Sequence, residues 1–271
     1  ATSSRDRSSE RLASGSIACE DPKVILERPG DPIRIAMWSG PRNLSTALMR
    51  SFGNRCDTAV VDEPLYAHYL KATGIEHPGR SEILVAHDSD AASVERALIG
   101  PVPHGRRIWY QKHMSHHLLP GMEDLVPGWL GRLTHAFLVR DPARVIVSFA
   151  KVVANPTPED LGLPQQLRLL ERLRAEGLRP PIVDAAEIRR DPRATLSRLC
   201  RSIGIPFDEA MLAWPAGPRE TDGVWAKHWY ASVERSTGFE PPEEGPPPEV
   251  PPALRGVLSE CLAIHAAILE G

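Results

Sequence analysis

Five short apolar, β-prone runs set the limits on how this chain can fold: Ile33–Trp38, Thr58–Val61, Arg107–Gln111, Thr134–Val139 and Pro181–Val183. Segments with helical spacing lie between them. Strands that alternate with helices form βαβ units, whose parallel strands need helices on both faces of the sheet. The expected fold class is therefore α/β, a three-layer α/β/α arrangement around a mostly parallel central sheet of about five strands.

Two helix starts are marked by Asp-Pro. Asp141-Pro142 precedes a helix expected over Ala143–Val153, and Asp191-Pro192 precedes one over Arg193–Ile203. Aspartate caps free amides and proline suits the first turn. Gln165–Arg174 has the pattern of a charged amphipathic helix lying on the sheet. Residues 240–252 (E-P-P-E-E-G-P-P-P-E-V-P-P) suit neither helix nor central strand and read as an extended strap, ahead of a last helix over 253–269. Residues 1–22, rich in Ser, Arg and acidic side chains, are expected to be a disordered extension, which leaves 23–271 as one domain.

The chain has 271 residues, of which 42% are hydrophobic, enough for one sizeable core. Its uninterrupted apolar runs fall short of the roughly 20 residues a bilayer-spanning helix needs, so no membrane association is expected. A formal net charge of −3 argues against a nucleic-acid partner held by phosphate neutralisation. Cys19, Cys56, Cys200 and Cys261 are far apart with no C-x-x-C pair, the usage of reduced thiols in a cytoplasmic protein. Oligomeric state is not legible.

The first β-prone run leads into Ser39-Gly40-Pro41-Arg42-Asn43-Leu44-Ser45-Thr46. A strand, a tight loop and a helix start present backbone N–H groups and the positive end of the helix dipole to an anion. Ser45 and Thr46 add hydroxyls and Arg42 a charged fork. An ATP-binding loop of the form G-x-x-x-x-G-K-[ST] would place a lysine before its Ser/Thr. No register supplies one here, which disfavours a triphosphate-using kinase or ATPase.

The loop resembles the 5′-phosphosulfate loop of sulfotransferases that use 3′-phosphoadenosine-5′-phosphosulfate (PAPS), with Arg42 where a lysine is frequent and Leu44 where a glycine is frequent. Phe137-Leu138-Val139-Arg140-Asp141-Pro142, followed by Ser148, is similar to the same family's strand ending in V-R-[ND]-P and the serine eight residues after that arginine. The Ile182–Pro192 run extends the resemblance over about Ile33–Leu212. It implies a P-loop-type nucleotide-binding fold. Arg42, Asn43, Leu44, Ser45 and Thr46 would hold the phosphosulfate, with Arg42 stabilising charge on the leaving phosphate. Arg140 and Ser148 would hold the 3′-phosphate. The implied activity is sulfuryl transfer from PAPS to a hydroxyl or amine of a small-molecule acceptor, releasing 3′-phosphoadenosine 5′-phosphate (PAP). No metal is required, because a sulfuryl group carries less charge than a phosphoryl group.

The transfer also needs a base for the acceptor's proton. Lys112-His113-Met114-Ser115-His116-His117-Leu118-Leu119-Pro120 resembles the family's K-T-H-x-P-x-x-L-L-P segment, which puts His113 on the catalytic histidine and Lys112 beside it, after a strand expected to end at Gln111. Glu63 of Asp62-Glu63-Pro64 is the second candidate, at a position where other members carry an acidic base. His116 and His117 lack a companion carboxylate at metal-ligand spacing, and are expected to line the acceptor pocket or face solvent. The family's C-terminal R-K-G motif is not evident, and Lys227 or Arg235 stands where its phosphate contact would come from. Two other readings stay open: a small-molecule kinase with a degenerate loop, and a homologue that binds PAP without turnover.

Overall fold

A computed structural model describes residues 31–122 and 128–270. The extension expected over residues 1–22 lies outside the described residues. Five parallel strands, β1 (Ile33–Ser39), β2 (Thr58–Asp62), β3 (Ile108–Met114), β4 (Thr134–Val139) and β5 (Ile182–Asp184), form one sheet in the order β2-β3-β1-β4-β5. The chain leaves β1 toward β2 and β3 on one side, then crosses to β4 and β5 on the other. Ligands of open α/β sheets bind at such a reversal, outside the carboxyl ends of the strands.

Ten helices accompany the sheet among the described residues: α1 (Ser45–Gly53), α2 (Tyr66–Thr73), α3 (Arg80–Ala86), α4 (Ala91–Leu98), α5 (Pro142–Phe149), α6 (Leu163–Ala175), α7 (Ala185–Arg190), α8 (Pro192–Ser202), α9 (Ala226–Trp229) and α10 (Arg255–Glu270). Asp141 and Asp191 cap α5 and α8 by accepting from Arg144 N and Ala194 N, as their sequences predict. Residues 240–251 contain no helix or strand.

Alternation along the strands divides the core into two layers. Ile35, Met37, Ile108, Tyr110, Ala136 and Leu138 pack with Leu48 and Phe52 of α1 and Leu196 and Leu199 of α8. Ala36, Trp38, Trp109, Phe137 and Val139 pack against Ile146 of α5, Leu169 and Leu173 of α6, and Cys261 and Ile268 of α10. Full burial of a large apolar side chain contributes about 1.5–3 kcal/mol, so these layers hold the sheet. A smaller cluster of Tyr66, Leu70, Ile83, Trp225 and Tyr230 covers one part of the carboxyl edge.

One sequence expectation changes. β3 runs on through Lys112 and His113 to Met114, paired along its length with β1. Its end is therefore three residues later than the apolar run suggested, and the face on which each of these residues lies is fixed by the pleat. Pro252–Glu270 is one stretch of 19 residues long and apolar enough, by length and composition, to cross a membrane. Here Leu254, Cys261 and Ile268 place one side of it in the core against α5 and α6.

Candidate active site

β1 delivers the loop to the carboxyl edge of the sheet. Gly40 must be glycine, because a Cβ there would stand 2.3 Å from the carbonyl oxygen of Leu161. Arg42 (φ 61°) and Leu44 (φ 73°) then take left-handed backbone, which turns the chain sharply into α1. Leu44 occupies a left-handed conformation that a glycine would adopt without cost. Its own strain, about 1–2 kcal/mol, is offset by partial burial of its side chain on the α1 layer of the core. Asn43 is buried. With both amide atoms satisfied, it donates to Pro41 O (3.2 Å) and accepts from Gly40 N (3.3 Å), closing the loop on itself.

Among the described residues no side chain caps the N-terminus of α1, nor those of α2, α3, α6 and α9, whereas Asp90, Asp141, Asp184 and Asp191 cap α4, α5, α7 and α8. The first amides of α1 lack intrahelical acceptors, and with the helix dipole they form a site for an anion. Pro41 through Ala47 line a cavity of about 370 Å³.

At one end of this cavity are Arg42, Arg140 and Ser148. Arg42 Nε donates to Ser148 Oγ (2.9 Å). Arg140, just beyond β4, donates through Nη1 to Arg42 O (2.6 Å) and pairs through Nη2 with Glu243. The sequence-derived cofactor residues Arg42, Asn43, Leu44, Ser45, Thr46, Arg140 and Ser148 thus surround one cavity. Arg189, at the end of α7, also lines it and reaches Glu243 Oε1 at 3.1 Å.

Glu63, Lys112 and Tyr230 line the other end. Lys112 is 1% exposed, and all three of its donors are used: Asp62 Oδ1 (2.9 Å), Glu63 Oε1 (2.8 Å) and Tyr230 Oη (2.6 Å). Tyr230 Oη donates to Asp62 Oδ2 (2.6 Å), which also accepts from Gly223 N (3.2 Å). Burial works against the Lys112 charge, but the Asp62 and Glu63 carboxylates hold it protonated, well above the ordinary lysine value. Glu63 moves the other way from a usual carboxylate. Burial pushes it up to about 6, with Lys112 opposing and Asp62 adding to the rise. Glu63 also sits at φ 42°, a rare backbone for a residue before proline.

His113 does not reach this cavity. One residue from Lys112 in β3, it points into the opposite layer, 1% exposed, with its ring 4.4 Å from that of Trp38. Gln111 Oε1 lies 3.3 Å from its Nε2, and burial lowers its pKa to about 3. The length of β3 and the two-residue period of the pleat put His113 on this face, away from the strand end expected at Gln111.

His116 and His117 follow β3 and line the same cavity end as Glu63, with Tyr66, His77 and Trp229. His117 stacks on Tyr66 (centroids 4.5 Å), and neither of its ring nitrogens has a partner among the described residues. Burial depresses both histidines, His116 to about 3 and His117 well below the ordinary imidazole value, so they offer neutral imidazoles. Among the described residues no group of three His, Cys, Asp or Glu side chains is arranged to hold a metal. Lys227 is tied to Glu82 on the surface (2.6 Å), and neither it nor Arg235 lines the cavity. Their segment contributes Trp229, Tyr230, Ser232 and Ser236 instead. Asp62, Arg189, Glu243 and Tyr230 were not singled out from sequence. For Asp62 the signal was present, directly beside Glu63.

Comparison with known proteins gives the family and the fold. A family profile described as "Sulfotransferase domain" matches residues 33–268, all five strands included. "Branched-chain-amino-acid aminotransferase-like protein 1" of Arabidopsis thaliana is 42% identical over 216 residues, 80% of this chain and 38% of that protein. "Branched-chain-amino-acid aminotransferase-like protein 2" of the same plant is 38% identical over 231 residues, 85% of this chain and 40% of that protein. The chain thus spans about two-fifths of the length of these relatives. Of the solved structures, the sulfotransferase from Alicyclobacillus acidocaldarius superposes with a TM-score of 0.52 at 13% identity, over 89% of this chain and 95% of that one, a likeness of fold. The chain belongs to the sulfotransferase domain family.

Proposed function

We propose that this sulfotransferase-family domain transfers a sulfuryl group from PAPS to a hydroxyl or amine of a small-molecule acceptor by in-line displacement. One observation carries the reading. A single cavity runs from an uncapped helix N-terminus flanked by arginines to a carboxylate whose pKa burial has raised. The residues fit PAPS: the α1 amides, Ser45, Thr46 and Arg42 suit its phosphosulfate, and Arg140 and Ser148 its 3′-phosphate. PAPS, when bound, supplies the sulfuryl group and leaves as PAP.

Glu63 is the base. With a pKa of about 6, it is ionised at pH 7 yet more basic than an ordinary carboxylate, which favours uptake of the acceptor's proton. Lys112 holds Glu63 Oε1 in place and limits how far its pKa rises. Arg42 and the α1 amides meet negative charge as it grows on the phosphate side. Tyr66, Trp229 and the neutral His117 give the acceptor an aromatic wall with unused hydrogen-bonding nitrogens.

The decisive experiment compares thermal stabilisation by PAP and by Mg-ATP in the wild type and in Arg140→Ala. PAP at about 100 times its dissociation constant should add roughly 2.7 kcal/mol, and Arg140→Ala should remove most of that gain. No PAP effect in the wild type would sink the donor assignment. A preference for Mg-ATP would favour a kinase. PAP binding without sulfuryl transfer to any hydroxyl or amine offered would mark a non-catalytic homologue.

A further inference from the structure

We propose that Arg144 and Arg189 join Arg140 in a site for a doubly charged phosphate monoester, and that Glu243 is that site's resident competitor. The proline-rich strap carrying Glu243 then has to leave before the 3′-phosphate of the nucleotide enters. The inference rests on the PAPS reading above and adds to it residues and a movement that the loop motifs do not contain.

Three guanidinium groups, from the turn after β4, from α5 and from α7, converge on one carboxylate. Glu243 pairs with Arg140 Nη2, with Arg144 Nη1 through Oε2 (3.0 Å) and with Arg189 Nη1 through Oε1 (3.1 Å). Arg189 Nη2 also holds Glu240 (3.1 Å). Three positive charges meeting two carboxylates leave an excess of one, a balance that favours a further anion. Planar forks of this kind bind carboxylate and phosphate with the same geometry. Glu243 lines the cavity together with Arg42, Arg140 and Ser148, so it stands where the second phosphate of the nucleotide would go. A phosphate arriving beside an unmoved Glu243 would meet like charge at the nitrogens it needs.

Ahead of Val250, which is buried in the core, residues 240–248 of the strap are held weakly enough to come away. Pro241, Pro242, Pro246, Pro247 and Pro248 have no N–H to donate, and the segment belongs to no helix or strand. Arginine forks hold it: beyond the Glu243 pairs, Arg144 Nη2 donates to Gly245 O (2.9 Å) and Pro246 O (3.3 Å). Gly245 sits at φ 76°, a left-handed pivot between Glu243 and the next prolines. Prolines on both sides keep the released strap extended. Glu243 thereby becomes a specificity determinant. A nucleotide that carries the second phosphate replaces it on the arginines, and one without that phosphate has nothing to exchange for it.

Calorimetric titration of PAP and of adenosine 5′-phosphate into the wild type and Glu243→Gln tests this. Glu243→Gln should bind PAP about fivefold or more tightly than the wild type, with adenosine 5′-phosphate unchanged. Adding Arg189→Gln to that variant should weaken PAP by a similar factor and leave adenosine 5′-phosphate unchanged. Equal or weaker PAP binding by Glu243→Gln overturns the competitor role while the PAPS reading stands. PAP binding unaffected by Arg189→Gln removes that residue from the phosphate site. PAP binding by neither protein overturns both readings. Melting without ligand identifies a misfolded variant, in which case Glu243→Ala takes the place of Glu243→Gln.

Discussion

Two clusters of buried polar side chains lie on opposite faces of the sheet, and neighbouring residues of β3 anchor them. Lys112 belongs to an ionised network with Asp62, Glu63 and Tyr230 that opens onto the cavity. His113 belongs to a neutral stack with Trp38 and His135, closed over by the α5 and α6 layer. In that stack His135 accepts from Trp38 Nε1 (2.9 Å), and its Nε2 donates to Leu130 O (2.8 Å). Both clusters are buried, and burial shifts titratable groups in both. Depth and a perturbed pKa therefore do not distinguish a reacting group from a packing one. What distinguishes Glu63 is a carboxylate with one side on the cavity and the other fixed by a cation.

The network face gives the largest effects. Glu63→Gln keeps size and polarity but cannot take a proton. It should lower kcat by about 10²–10⁴-fold, with PAP affinity within about twofold of the wild type. A loss below tenfold would remove Glu63 as base. Lys112→Met strands two buried carboxylates, a change that costs about 3–5 kcal/mol of stability where a buried pair is broken. It should also move the rising limb of the pH–rate profile, expected near pH 6 from Glu63, to higher pH, because Lys112 restrains that pKa. A limb that stays in place would show that Glu63 does not control it.

Legibility followed the same division. The five strands and the Asp-capped helices were visible because each rests on local periodicity or a local cap. Arg140 and Ser148 were visible because a motif of fixed spacing carries them. The facing of Lys112 and His113 was not, since one residue of strand length decides which of two adjacent side chains enters the cavity, and the polar Lys112-His113 pair hides the continuation of β3. Contacts between distant segments were hidden as well. Tyr230 meets Asp62 across 168 residues, and Glu243 meets Arg189 and Arg140 across 54 and 103. No local pattern marks such pairs.

The closed face should respond to acid rather than to substrate. His113 is depressed to about 3 and His135 to about 4, in each case chiefly by burial. Between those values and the ordinary 6.5, the unfolded chain binds protons that the fold refuses, so stability falls as pH drops below about 6.5. Glu63, raised from 4.5 to about 6, acts in the opposite sense over its narrower window and offsets part of the loss. Melting temperatures between pH 8 and pH 5 should decline below about 6.5, and less steeply in His113→Phe, which keeps the stack on Trp38. The same variant should retain kcat within about threefold, the effect of a residue that touches no reactant. A fall of about 10²-fold or more with an unchanged melting temperature would return His113 to the mechanism.

Backbone strain sharpens the contrast at the smallest scale. Arg42, Leu44 and Glu63, all on the cavity, have positive φ, whereas Trp38, His113 and His135 lie in ordinary strands. Strain held at such positions persists only where the surroundings impose it. For Leu44 the imposing partner is the α1 layer of the core, on which its side chain rests. Leu44→Gly relieves the left-handed cost and forfeits that packing, two terms of similar size, so its melting temperature and PAP affinity should stay close to the wild type. Leu44→Val keeps an apolar side chain but puts a β-branched residue at φ 73°, a poor fit to left-handed backbone. It should lose about 1–2 kcal/mol and bind PAP more weakly as the loop and the first turn of α1 shift. Equal behaviour of the two variants would mean that the loop relaxes freely and that the conformation at Leu44 does not hold the anion site in place.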